Sequence, residues 1–501
     1  MLEVCRSLYL NEECGSTRNG VCTHCLRGEI IAVTFSKTSL VLLCGILCLC
    51  ACQPTFVQVK APLEEEGEVL LYVQPFQQDA DRLRFSIESI SVRKSDGSES
   101  PVSVRLPELR GREITRQRLL GTAVVSPGSY AGFTLKIKEA LVRTEDGEAA
   151  LLLPDAPVRI DFPFTVSRKR AYVVWFIFKP GESLRTGFSF TPAFSVAMPP
   201  RPIASLTGYA TNSGSNNITV FDKRASQVTG AIATRGGPAG MALDQRGRKA
   251  YVALPSQDMI EVIDVNVGEV IDRLLLSTGD RPRELALTPD GRILLSVNAG
   301  SNTVSVIETP SRFESRRITV GNGPNSILVD PSGRRAFVFN NLASSISVLD
   351  IPNKALVTTI STDPGPLRGQ FNKRGDRFYV IHELSSYLSI IDARTFSTVK
   401  RMNVGIGMSY IKVDPVTDLV YMGRSRDTTV GVYEPNSFVP MDYIQADGGA
   451  RYLTIDGDEN NLFMVGAQLP RITAANLISR KRVSGLDIGD APYWVTMMGE
   501  R

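Results

Sequence analysis

The chain has 501 residues, 43% of them apolar and 22% charged, an ordinary globular composition that excludes extended disorder, collagen-like structure and a polytopic membrane protein. Its length suggests two to four domains, at roughly 150 residues each. With Lys+Arg at 56 against Asp+Glu at 52, the formal charge of +4 makes no strong electrostatic case for nucleic acid, where a basic face supplies most of the affinity. All 8 cysteines lie at or before Cys52, and the only histidines are His24 and His382. The rest of the chain therefore holds neither a disulfide framework nor a soft ligand set for zinc, copper or iron. The expectation is a protein with no resident metal or cofactor.

The first element is an apolar run, Leu40-Val-Leu-Leu-Cys-Gly-Ile-Leu-Cys-Leu-Cys-Ala-Cys52, behind Lys37. It is too short to span a bilayer, which takes about 20 residues, and has the length of a signal-peptide core. Its end, Leu49-Cys50-Ala51-Cys52, resembles a bacterial lipobox, with Leu at −3, a small residue at −1 and then the Cys that receives the lipid. The resemblance implies cleavage before Cys52 and acylation of Cys52, placing residues 1–52 in a leader. Residues 1–36 are long for such a leader and carry Glu3, Glu12, Glu13 and Glu29, as a start assigned too far upstream would explain. Cys22-Thr-His-Cys25 lacks a second ligand pair at finger-like spacing.

Residues 53–68, with Pro54, Pro62 and Glu64-Glu65-Glu66, read as a solvated tether. Residues 69–198 then read as strands throughout. Phe85-Ser-Ile-Glu-Ser-Ile-Ser-Val92 alternates with period two and runs into Asp96-Gly97; the run ending in Leu141-Val142 does the same before Asp146-Gly147. Short strands with turns every 8–15 residues (roughly) predict an antiparallel β-sandwich. The turn Pro127-Gly128-Ser129-Tyr130 and the strand order resemble the transthyretin-like or carboxypeptidase-regulatory-like domains of bacterial lipoproteins. Trp175 is expected in the core.

Beyond a Pro-rich hinge at 199–205, residues 206–501 repeat. An aromatic or apolar residue recurs thirteen positions before an acid or amide: Tyr209/Asp222, Tyr251/Asp264, Leu295/Glu308, Phe337/Asp350, Tyr379/Asp392, Tyr421/Glu434 and Phe463/Asn476. A period near 42 residues built from four short strands predicts seven β-propeller blades. The first unit lacks its Pro-x-x-apolar strand, and a spare copy, Ala491-Pro-Tyr-Trp-Val-Thr-Met497, stands at the C-terminus, so that strand is expected to close the ring by completing the first blade. The repeat resembles the Tyr-Val-Thr-Asn family of seven-bladed propellers in bacterial and archaeal surface proteins, Tyr209-Ala-Thr-Asn212 being nearly its namesake. The fold class expected is all-β, a sandwich followed by a propeller.

Candidate sites follow from the repeat. His382-Glu383 begins like a metalloprotease motif, but Ser386 stands where the second His belongs, and His382 shares its repeat position with Asn212, Asn298 and Asn340, marking a turn residue. Asp456-Gly-Asp-Glu-Asn460 lacks the Gly and Glu that complete a calcium loop. At the starts of the innermost strands the pairs Ala239-Gly240, Arg283-Glu284, Asn325-Ser326, Leu367-Arg368, Ser409-Tyr410, Arg451-Tyr452 and Tyr493-Trp494 converge on one channel mouth, and strand alternation lets one of each pair face it. Arg, Tyr and Trp are interface anchors. The binding residues expected are therefore Arg283, Glu284, Asn325, Arg368, Tyr410, Arg451, Tyr452, Tyr493 and Trp494, with packing between blades as the competing role. The function expected is a non-catalytic binding or scaffolding lipoprotein of the bacterial cell envelope. It would be exported and held by its lipid at the outer membrane, the cell surface or the periplasmic side, with an envelope protein or glycan as partner and no nucleic acid. The alternative is a propeller enzyme, a lactonase-like hydrolase or an oxidoreductase subunit, for which Glu284, Asn325 and His382 would be the available groups.

Overall fold

The computed structural model describes residues 60–185 and 188–501, together with a short ladder between Cys25–Leu26 and Glu29–Ile30. Cys52 and its lipobox lie outside the described residues. From Gln58 onward the chain forms one compact unit. No helix among the described residues is long and apolar enough to cross a membrane.

The N-terminal part of this unit is two sheets packed face to face. One follows the order Gly147–Ala150, Gly128–Thr144, Leu83–Lys94, Glu99–Pro101, with Val158–Val166 and Glu108–Arg110 paired beside that path. The other runs Phe194–Ala197, Ala171–Phe178, Gly67–Val73, Arg118–Val125, Ser103–Val104. Ala171–Phe178 and Gly67–Val73 are parallel; the remaining pairs are antiparallel. Leu83, Phe85, Ile90 and Val92 point into the core between the sheets, as period-two patterning requires. Gly67–Val73 is instead buried at every position. Its odd residues Val69, Leu71 and Val73 join the sandwich core, while Leu70 and Tyr72 pack against the second domain. Ala171–Phe178 divides in the same way, Val174 and Phe176 inward, Val173 and Trp175 outward. Strands covered on both faces read as nearly continuous apolar runs, which accounts for these two sequences.

The second domain consists of seven four-stranded antiparallel sheets. Blade 1 contains Thr207–Asn212, Asn217–Asp222 and Gln227–Ala233, and its fourth strand is the C-terminal Pro492–Met497, paired with Thr207–Asn212. Blades 2 to 7 each use consecutive strands, the innermost being Met241–Asp244, Pro282–Leu287, Pro324–Val329, Pro366–Phe371, Tyr410–Val413 and Ala450–Asp456. In three blades a buried Asn ties the central hairpin. Asn212 Nδ2 donates to Asn217 Oδ1 and Thr219 Oγ1, Asn298 Nδ2 to Thr303 and Ser305, and Asn340 Nδ2 to Ser345 and Ser347, at 2.8–3.2 Å. Each amide thus satisfies two hydroxyls or amides that burial would otherwise strand.

The segment read as a tether is docked over its last residues: Lys60 N–H donates to the Gly214 carbonyl at 3.1 Å, and Lys60 Nζ lies 2.6 Å from the buried Glu68. Between the two domains runs a seam with an ionic centre. Asp487, on the outer strand of blade 7, takes Arg116 on one oxygen and Arg118 on the other, each at 2.7 Å, and Tyr72 O–H donates to its carbonyl at 3.1 Å. Trp175 Nε1–H donates to the Val228 carbonyl at 2.9 Å, and Gln117 Oε1 accepts from Val228 N–H at 2.6 Å. Trp175 is thus a seam residue, half-buried between the domains rather than within the sandwich core.

Burial pushes the Asp487 carboxyl upward, but Arg116 and Arg118 overcome it and hold the group below its ordinary 3.8. A depressed carboxylate contributes stability in full above its unfolded-state pKa and loses it as pH falls through the folded one. Melting temperature should therefore drop more steeply in the wild type than in Asp487→Ala as pH is taken below 3.8. At pH 7 the variant should lose about 3 kcal/mol, the scale for orphaning partners of a largely buried ion pair. Parallel pH profiles of the two proteins would contradict this assignment.

Candidate functional site

The channel mouth is built from the starts of the innermost strands. At Pro282/Glu284, Pro324/Ser326, Pro366/Arg368 and Ala450/Tyr452 the pairing register shifts by one residue. These are β-bulges, which re-aim side chains at strand ends. Asn325 Nδ2 and Ser326 Oγ both donate to the Leu367 carbonyl, at 3.1 and 2.7 Å, so both members of that pair reach the neighbouring blade on one side. Likewise Arg451 meets Tyr493, and Tyr452 meets Trp494.

Two layers result. In the inner layer Arg368 forms a bidentate pair with Glu284, at 3.0 and 2.6 Å, and its guanidinium carbon lies 5.1 Å from the ring centres of both Tyr452 and Trp494. Those rings stack at 3.7 Å and 22°. Burial raises the Glu284 carboxyl pKa against the opposing pull of Arg368. Glu284 is 2% exposed and Trp494 7%. This layer is a plug whose charge and aromatic faces are satisfied internally.

The outer layer is open. Arg283 Nε–H donates to Tyr493 Oη at 3.1 Å, and the Arg451 guanidinium lies over that ring, 5.8 Å from its centre. Arg283 and Arg451 are exposed, and neither has a carboxylate within salt-bridge distance among the described residues. Loops at the same ends of the strands carry apolar side chains. Leu342 and Leu384 lie against Gly323 and Gly365, and Leu469 against Gly448, glycines whose positive φ turns the chain into an innermost strand. With Ile406 they are 42–71% exposed.

Tyr410 is not at the mouth. It is 1% exposed, packs in the core shared by blades 6 and 7, and donates its hydroxyl to the Thr429 carbonyl at 3.3 Å. Blade 6 starts its innermost strand at Tyr410 with no shift of register, so nothing turns that ring outward. Glu284, Tyr452 and Trp494 belong to the plug, and Arg368 mostly so. Of the nine expected binding residues, Arg283, Arg451 and Tyr493 form the accessible group, with Asn325 half-buried beside it.

The remaining motifs have structural partners. His382 Nδ1–H donates to the Tyr387 carbonyl at 2.9 Å, and burial lowers its pKa. Asp456 and Asp458 both receive the fully buried Lys223 ammonium, at 2.6 and 2.7 Å, joining blade 7 to blade 1. Glu284, Asn325 and His382 thus each serve different partners. Among the described residues no three His, Cys, Asp or Glu side chains gather as a metal site. What sequence reading missed is Glu261, fully buried with one oxygen unpartnered and 3.2 Å from Arg273. Its signal was a break in the repeat: Glu261 stands where Thr219, Ser305 and Ser347 stand elsewhere, and Leu254 replaces the tying Asn.

Seven four-stranded antiparallel sheets, the first completed by the C-terminal strand, define a β-propeller. Residues 206–413 match the family described as a YNCE-like beta-propeller. No curated protein matches the chain. Among solved structures, a functionally unknown protein from Desulfotomaculum acetoxidans DSM 771 shares 13% identity and a TM-score of 0.51, over 58% of this chain and 98% of its own. Kuenenia stuttgartiensis hydrazine synthase is similar over 56% of this chain and 93% of its own, at 18% identity and a TM-score of 0.47. Dihydro-heme d1 dehydrogenase NirN, solved in complex with DHE, is similar over 60% and 78%, at 14% identity and a TM-score of 0.47. These likenesses concern the fold.

The two layers should separate by mutation. Arg368→Ala leaves Glu284 buried without its partner and should cost about 3–5 kcal/mol. Arg451→Ala removes an exposed side chain and should leave the melting temperature near that of wild type. Calorimetry of both variants decides the matter: equal melting temperatures would remove the distinction between plug and rim.

Proposed function

We propose that the protein is an exported, lipid-anchored component of the bacterial cell envelope whose propeller mouth binds an envelope protein or glycan without catalysing a reaction. One observation carries the binding reading. Above a self-satisfied plug, two exposed guanidinium groups contact Tyr493, and Leu342, Leu384, Ile406 and Leu469 are exposed on loops at the same ends of the strands. Arg and Tyr among accessible apolar side chains are the composition of an interface centre. Anchoring rests on the lipobox residues Leu49 to Cys52, and residues 69–198 fit a transthyretin-like or carboxypeptidase-regulatory-like spacer between lipid and propeller. The near-neutral charge argues against nucleic acid as the partner.

Cys52→Ala should abolish retention in the membrane fraction, because stable anchoring takes more than one acyl chain. Equal incorporation of radiolabelled palmitate by the variant would reject the lipoprotein assignment.

For the mouth, Arg451→Ala and Tyr493→Ala should each weaken capture of the envelope partner by tenfold or more, on the order of 1.4 kcal/mol, with melting temperatures unchanged. Labelled glycans, peptidoglycan and cross-linked envelope proteins are the probes. Undiminished capture by both folded variants moves the site away from the mouth.

A further inference from the structure

A second concavity lies far from these residues in sequence, where the sandwich, the hinge and blades 1 and 2 meet. It is a cleft of about 560 Å³, within the roughly 300–1,000 Å³ of small-molecule sites, and it lies between domains, where such sites concentrate.

One feature of blade 1 opens it. The outer strand of each blade presents a residue opposite the same position of the third strand: Asp272, Arg316, Thr358, Lys400, Asp442 and Ser484 in blades 2 to 7. In blade 1 that residue is Gly230, opposite Val220. A Cβ built on Gly230 would meet only Val220, at 3.5 Å, and its φ is not in the left-handed region. Neither packing nor backbone conformation therefore requires glycine there. What the missing side chain creates is room.

The walls differ in character. Tyr209, Val220, Ala231 and Val173 line the apolar part, and the Tyr209 hydroxyl already donates to the Val265 carbonyl at 3.4 Å. The rim is cationic. The turn Arg168-Lys169-Arg170 and Arg201 of the hinge face one lining carboxylate, Glu269, which is 2.7 Å from Arg170. Arg168 is paired with Glu65 outside the cleft. Lys169 and Arg201 have no ion-pair partner among the described residues. An apolar floor under uncompensated cations selects a ligand with both properties: the body replaces water on the floor, and the anionic head answers the rim.

We infer that this cleft binds a small amphipathic anion, an apolar body of acyl-chain size bearing a single carboxylate or phosphate. The inference does not depend on the reading of the channel mouth. The test is calorimetric titration of the full chain with decanoate, decyl phosphate and decanol. At least one anion should bind about tenfold more tightly than decanol, and which anion does so identifies the head group. Gly230→Leu, which fills the floor, should weaken binding by about tenfold or more with the fold intact. Lys169→Ala combined with Arg201→Ala, both at exposed positions, should bring the anions down to decanol's affinity; this arm holds even if Gly230→Leu melts early. Arg451→Ala, which alters only the mouth, should change nothing here. The proposal is overturned if decanol matches the anions, if no probe binds at millimolar concentration, or if the double variant keeps the wild-type preference.

Discussion

Every sheet in this protein faces the same constraint: a strand edge presents N–H and C=O groups that must find partners. Blade 1 meets it with residues from opposite ends of the propeller sequence, since Pro492–Met497 supplies the strand that Thr207–Asn212 lacks. Much of the remaining organisation depends on that pairing. It sets Trp494 beside Tyr452 in the plug and brings the Met498 carbonyl to Lys223. It also fixes blades 1 and 7 as neighbours, and the sandwich sits on these two and reaches blade 2 through Arg170 and Glu269.

The seam there follows from two-sided strands. Gly67–Val73 and Ala171–Phe178 each bury one face in the sandwich, and the other face would be an exposed apolar strip were the propeller absent. Covering that strip is the main attraction between the domains, at roughly 25 cal/mol for each Å² buried. Attraction of that kind has no direction. Direction comes from polar groups: Asp487 divided between Arg116 and Arg118, Arg105 paired with Asp490, and Trp175 on the Val228 carbonyl. Each is costly when misplaced and satisfied in one arrangement, so together they select the orientation that also opens the cleft beside Gly230.

How much of this was legible depends on the range of the interaction. Period-two patterning and the 42-residue phase expose strands and blades, because both are local and repeated. The Asn tying three of the hairpins was visible as a turn position shared by Asn212, Asn298, Asn340 and His382, although its hydroxyl partners were not. The sandwich–propeller seam left a trace in the apolar Leu70, Tyr72, Val173 and Trp175, on faces that a lone sandwich would expose to water. The identity of Asp487's partners left none, since Arg116 and Arg118 lie about 370 residues away. Bulges were equally silent. They depend on how strand ends are paired, which alternation along one strand does not reveal. Tyr410 was misplaced for the converse reason: it occupies an equivalent repeat position on a strand without the shift.

The mouth and the plug use the same residue types for opposite ends, and pairing separates them. A guanidinium that has found a carboxylate and two aromatic faces, as Arg368 has, offers little to a ligand, because binding would first have to break bonds formed in a desolvated setting. Arg283 and Arg451 share one tyrosine between them and keep most of their donors toward solvent. One bulged turn therefore yields both results. Where the innermost strand is bulged, Glu284, Arg368 and Tyr452 pack down into the plug, while Arg283 and Arg451 stay at the rim, held in place by what lies beneath them. A recognition surface mounted on such a plug loses little conformational entropy on binding, since its supporting side chains are ordered before any partner arrives.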